Sequence, residues 1–218
     1  MKKIISLIIT LFILTATQAQ ETKSITLDDV YKSRQLFPKP ARVGQSMNDG
    51  EHFYKTGKEG IEKYSYKTGK QVGMILENKT LKINDSTNLE YEDIEFSPNE
   101  ELVLLTTETE DIYRHSSKSN FYIYSLANKT LKALSPNGKQ RLATFSPDGS
   151  KIAFVRDNNL FITNLGDMSE KQITTDGEYE HIINGTTDWV YEEEFSFTQA
   201  FYWSPDGKYI AYYKFDES

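Results

Sequence analysis

Apolar and polar positions alternate in short runs along this chain, and the runs recur. "FSPNEELVLLTTE" starts at Phe96, "FSPDGSKIAFVRDNNLFITNL" at Phe145 and "WSPDGKYIAYYKF" at Trp203, with a weaker "SMNDGEHFYKTG" at Ser46. Aligning Met47 with the three aromatics gives steps of 49, 49 and 58 residues. A second echo, "NKTLK" at Asn78 and again at Asn128, keeps nearly the same step. In each unit an aromatic closes one strand and Ser-Pro-Asp-Gly supplies a tight turn, because Pro fixes φ and Gly tolerates φ > 0. An alternating stretch such as Lys151-Ile152-Ala153-Phe154-Val155 opens the next strand, and "NNLFITNL" over residues 158–165 reads as another after a further turn. Repeated strand-turn-strand units of about 50 residues, each burying its faces only against its neighbours, predict a β-propeller. A sandwich of similar hairpins is the competing architecture. The expected fold class is therefore all-β, a partial β-propeller of about four blades, the first of them degenerate.

The opening residues break this pattern. Lys2 and Lys3 precede an apolar stretch from Ile4 to Thr15, and Thr17-Gln18-Ala19 offers small residues where a signal peptidase reads. Residues 1–19 are predicted to be a signal peptide, and residues 20–218 the exported chain. The stretch is short for a membrane span, which takes about 20 residues, so an uncleaved anchor is the weaker alternative. Export to the periplasm or beyond the cell is the expected localisation.

Composition narrows the partners. The 218 residues are 38% hydrophobic, 13% aromatic and 26% charged, the balance of a globular chain with a β-prone aromatic content. There is no cysteine, so neither disulfides nor a lipid-bearing cysteine is available. The net charge of −7 becomes −9 once Lys2 and Lys3 leave with the leader, which disfavours nucleic acid and anionic membranes as partners.

One motif stands where the repeat spacing grows from 49 to 58 residues. "TDWVYEEEF", residues 187–195, sets Glu192, Glu193 and Glu194 behind Trp-Val-Tyr. A charge run is ordinarily a solvated face, but extra residues at one point of a repeat array commonly form a loop or short helix on the binding face. Trp189 and Tyr191 read as packing residues that place the acidic segment. Successive side chains diverge by about 100° in a helix and 180° in a strand, so at most two of the three carboxylates converge on one ligand. A metal would need further ligands, and His52, His115 and His181 show no ligand-like spacing. Nothing else suggests the sugar substrate of a paired-carboxylate glycosidase. An ammonium group, with three donors and a positive charge, suits two acidic acceptors.

"NGTTDWVYEEEF" followed by "WSPDGKYIAYYKFDES", together with "IYRHSSKSNFYIYSL" over residues 112–126, resembles the dipeptidyl-peptidase-IV-type serine exopeptidases of the prolyl oligopeptidase family. The resemblance runs through most of the chain and is weakest before about Ile94. It implies an eight-bladed propeller capping an α/β-hydrolase domain, and release of Xaa-Pro or Xaa-Ala dipeptides from peptides with a free N-terminus. It carries ammonium binding to Glu193 and Glu194, a substrate contact near the acidic pair to Arg114, and a structural role to Glu192. It calls for no cofactor and no metal, and family members are often homodimers. No Gly-x-Ser-x-Gly elbow occurs in the 218 residues, so no catalytic residue is assigned and the hydrolase domain is expected in cis beyond Ser218. The alternative expectation is a non-catalytic periplasmic propeller that binds peptides or proteins.

Overall fold

The computed structural model describes residues 24–33, 36–37 and 44–218; the expected leader and the boundary at residue 20 lie outside the described residues. The chain divides into two units, Met1–Arg42 and Val43–Ser218. In the first, helix α1 (Leu27–Tyr31) starts at a capping box: Thr26 Oγ1 accepts from the Asp29 amide, and the Asp29 carboxylate accepts from the Thr26 amide.

The second unit is built of antiparallel meanders. Strands β1 (Gln45–Ser46), β2 (His52–Gly57), β3 (Gly60–Ser65) and β4 (Gln71–Glu77) pair in chain order as one sheet. A 3-10 turn over Asn78–Thr80 and the hairpin of β5 (Lys82–Asn84) and β6 (Thr87–Asn88) lead to a second sheet. That sheet is β7 (Asp93–Phe96), β8 (Leu102–Asp111), β9 (Ser117–Ser125) and β10 (Thr130–Ala133). The third is β11 (Arg141–Phe145), β12 (Lys151–Arg156), β13 (Asn159–Asn164) and β14 (Glu170–Gln172). In the last stretch β15 (Ile182–Asn184) pairs with β18 (Lys214–Asp216), and β16 (Phe201–Trp203) with β17 (Ile210–Tyr212).

The repeated turn is the same object each time. Ser97, Ser146 and Ser204 accept through Oγ from the amides of Leu102, Lys151 and Tyr209, all at 2.9 Å. The same hydroxyls donate to Oδ1 of Asn99, Asp148 and Asp206 at 2.7, 2.6 and 2.7 Å. The residue that follows is left-handed: Gly149 has φ 69° and Gly207 φ 67°. In the second sheet Glu100 occupies this place with φ 55°, a conformation that costs a side-chain-bearing residue about 1–2 kcal/mol. Its carboxylate accepts from the Asn48 amide at 2.8 Å, so the strained residue also ties the first repeat turn to the second.

These turns make the fold acid-sensitive. The Ser146 hydroxyl and the Ser150 amide hold the Asp148 carboxyl well below the usual carboxylate range, and Ser204 and the Lys208 amide do the same for Asp206. A carboxyl depressed in the folded state stabilises above its unfolded pKa of about 3.9, and the contribution is lost as pH falls through the folded value. Glu95, raised by burial, works in the opposite sense. The urea midpoint should therefore fall as pH drops below about 4, and Asp148→Asn, which copies Asn99, should flatten that limb. A midpoint constant from pH 5 to strongly acid conditions would contradict this.

Burial explains the order of the sheets. Ile152, Ala153, Phe154 and Val155 are all fully inaccessible, although consecutive strand residues point to opposite faces. Ile152 and Phe154 pack with Leu104 and Ile123 of the second sheet, whereas Ala153 and Val155 pack with Phe201 beyond the third. Likewise Val103 and Leu105 join the core with Ile61 and Leu76 of the first sheet. The second strands of the second and third sheets, β8 and β12, are thus covered on both sides, and their apolar runs are continuous rather than alternating, whereas β2 of the first sheet buries only Tyr54. Full burial of a side chain such as Phe154 contributes about 1.5–3 kcal/mol.

Candidate functional site

The extra residues before the fourth repeat form a stem carrying a helix. Thr186 bridges Gln199, the Ala200 amide donates to the Gly185 carbonyl at 3.1 Å, and the Thr186 and Thr187 hydroxyls donate to the Thr198 and Phe197 carbonyls. Gly185 is required in this stem: its φ is +79°, and a Cβ there would lie 3.1 Å from Val155 Cγ2. The stem is closed by buried Asn184, Thr186, Thr187 and Ala200.

Helix α2 (Trp189–Phe195) crowns it. Asp188 is the N-cap and accepts from the Tyr191 amide at 2.8 Å; Ser196 ends the helix in the left-handed conformation. Tyr191 packs against Phe195 and Phe215, with ring centroids 5.4 and 5.1 Å away, as expected of a placing residue. Both side chains remain exposed, Tyr191 at 42% and Trp189 at 55%, and Trp189 makes no ring contact among the described residues.

The three glutamates take three environments. Glu192 points inward, is 1% exposed, and accepts from the His115 amide at 2.9 Å. Glu193 has its side chain mostly covered and pairs with Arg114, Nη1 to Oε2 3.0 Å, while the Arg114 side chain is largely exposed. Glu194 is exposed, and no hydrogen bond or ion pair ties its side chain to another described residue. Both Glu193 and Glu194 lie in the second half of a seven-residue helix with no basic residue in its last turn. The negative end of the helix dipole adds to their charge, so a cation must come from elsewhere.

Arg114 arrives on a long hairpin. β8 and β9 continue beyond their neighbours, pairing through Asp111 and Ser117, and a bulge between Thr107 and Glu110 bends them. The tip folds back through Ile112 amide to Ser116 carbonyl, 2.8 Å. Because Glu192 grips the His115 amide, the residue beside Arg114 is latched to the helix that carries Glu193. The Arg114 side of the pair is open to solvent and screened there, so Arg114 stays accessible to an incoming ligand.

A further cation was not visible in the sequence. Arg141 opens β11, where a bulge between Arg141 and Thr144 and the left-handed Leu142 (φ 58°) re-aim the strand. Burial pushes its guanidinium down from the usual arginine value, and the charge of Glu192 pulls it back up. Its Nε is buried and has no hydrogen-bond partner. The charge of buried Glu192 thus acts on the half-buried Arg141, without an ion pair between the two among the described residues.

Comparison with known proteins places this arrangement. Residues 97–218 match the family described as dipeptidyl peptidase IV (DPP IV) N-terminal region. The chain belongs to that family. Probable dipeptidyl-aminopeptidase B of Trichophyton verrucosum is 43% identical over 126 residues, covering 56% of this chain and 14% of that one. Dipeptidyl peptidase 4 of Sus scrofa is 34% identical over 204 residues, 92% of this chain and 26% of the relative. The crystal structure of Porphyromonas gingivalis dipeptidyl peptidase 4 superposes with a TM-score of 0.77 at 37% identity, covering 90% of this chain and 28% of that one. The chain therefore spans about a quarter or less of the length of these curated relatives. All the site residues, Arg114, Arg141 and Glu192 to Glu194, fall inside the matched DPP IV region, while the degenerate repeat at Ser46 falls outside it.

Proposed function

We propose that this chain is the N-terminal part of a serine exopeptidase that releases dipeptides from peptides with a free N-terminus, and that Glu193, Glu194 and Arg114 hold the substrate's ammonium. The observation that carries the reading is the division of the triplet: one glutamate buried as an anchor, and two left at the helix end, Glu193 paired with the exposed Arg114 and Glu194 open to solvent. An α-amino group of pKa about 7.7–8.0 is mostly protonated at neutral pH, and neighbouring carboxylates raise that value. Arg114, paired with Glu193, offsets part of the negative charge at the helix end. Fixing the ammonium about two residues, roughly 7 Å of extended chain, from a nucleophile makes the product a dipeptide. In this reading the stacked sheets are about four blades of an eight-bladed propeller. A hydrolase domain in the same polypeptide supplies the nucleophile, and residues 1–19 direct export to the periplasm or the medium.

The test is product analysis. Full-length protein carrying this chain, incubated with a peptide beginning Xaa-Pro, should yield the N-terminal dipeptide by mass spectrometry and leave the N-acetylated peptide intact. Single amino acids or internal fragments would overturn the dipeptide ruler. No cleavage at all would favour a peptide-binding propeller.

A further inference from the structure

Beside the Arg114–Glu193 pair lies a cleft of about 560 Å³ whose wall includes three aromatic rings: Tyr113, Tyr179 and Trp189. Their exposures are 50, 77 and 55%, unusual for side chains that gain most from burial. Two of them border the clamp directly. Tyr113 precedes Arg114 in the hairpin tip, and Trp189 stands four residues before Glu193, on the same helix face and about 6 Å away.

The charges lining the cleft do not balance. Its cations, Lys118 and Arg141, already answer to carboxylates outside its wall: Lys118 pairs with Glu110 at 3.1 Å, and Arg141 faces the charge of Glu192. Of its acids, Asp188 caps α2 and Glu180 sits against the Tyr179 hydroxyl, whereas Asp157 and Glu217 are exposed and form no ion pair with a described residue. Exposed aromatic faces beside free carboxylates are the surroundings that hold a desolvated cation best.

We propose that this cleft is a subsite for the side chain of the substrate's first residue and that it selects a long cationic side chain, lysine or arginine. The inference rests on the amine-clamp reading, since it needs the N-terminal ammonium at Glu193 and Glu194. With the ammonium fixed there, the first side chain leaves the same α-carbon and needs to cross only one helical turn to reach Trp189. Its aliphatic stem lies along Tyr113 and Trp189, and its charged end reaches Asp157 and Glu217.

The experiment compares kcat/KM for chromogenic Arg-Pro, norleucine-Pro and Glu-Pro substrates, with an N-acetylated Arg-Pro control, in the full-length protein. Arg-Pro is expected to exceed norleucine-Pro by about tenfold and Glu-Pro by more, with the first ratio shrinking as salt rises. In the Asp157→Asn/Glu217→Gln variant, both changes being at exposed positions, the arginine-to-norleucine ratio should fall to within twofold of one. Equal rates for free-amine Arg-Pro and norleucine-Pro, with the acetylated control still inert, would overturn the subsite and leave the clamp standing. Turnover that ignores acetylation would overturn the clamp and the subsite with it.

Discussion

If the proposed function holds, Glu193→Ala in the full-length protein carrying this chain should lower kcat/KM on a free-amine Xaa-Pro substrate by about 2–5 kcal/mol, roughly thirty-fold to a few thousand-fold. Two effects add. The ammonium loses its better-shielded acceptor, since the Glu193 side chain is only 13% exposed. Arg114, released from its 3.0 Å partner, becomes an uncompensated positive charge at the proposed ammonium position. Glu194→Ala should fall toward the lower end of the same range, because an exposed carboxylate with no partner among the described residues is better hydrated and leaves no orphaned arginine behind. The order of the two losses is therefore part of the prediction. Unchanged turnover in both variants would sink the clamp, and a larger loss at Glu194 would reassign the principal acceptor.

What could be read in advance followed the range of the interactions involved. The repeat turns were legible because their chemistry is local: the Ser146 hydroxyl, the Asp148 carboxylate and the Lys151 amide lie within six residues. Glu100 shows the limit, since it fills a position that asks for glycine, and what compensates it is the Asn48 amide in another repeat. Residues 152–155 read as the start of an alternating strand, and both faces proved buried, because coverage depends on neighbouring sheets rather than on the strand itself. The acidic helix was harder still. Trp-Val-Tyr is a poor helix opening by propensity, and the turn forms because Asp188 caps it on a bridged stem. The extra spacing before Trp203 pointed to that insertion, and family resemblance assigned Glu192 a structural part; the physical reason is a contact to His115, 77 residues away. Arg141 left no signal, since a buried cation at the start of a strand looks like any surface arginine until its counter-charge is in place.

Glu192 is the residue on which the site's geometry should depend most. Glu192→Ala removes the acceptor of the His115 amide and the carboxylate whose charge acts on the half-buried Arg141 guanidinium. Losing a buried charged hydrogen-bond acceptor typically destabilises by about 1.5–3 kcal/mol, and that loss is expected in urea denaturation of the protein. Glu192→Gln keeps a carbonyl for the amide and removes only the charge, so its cost should be smaller, about 1 kcal/mol. Adding Arg141→Met to Glu192→Gln should recover part of that cost, because it removes the orphaned charge, and the double-mutant cycle measures the coupling. The same set separates stability from positioning. If Glu192 acts by latching the hairpin tip, Glu192→Gln should leave KM for a free-amine substrate near its original value, while Glu192→Ala should raise it as Arg114 loses its fixed place beside Glu193. Destabilisation under 0.5 kcal/mol in Glu192→Ala would mean that the carboxylate is not the anchor, and that the stem alone holds the helix.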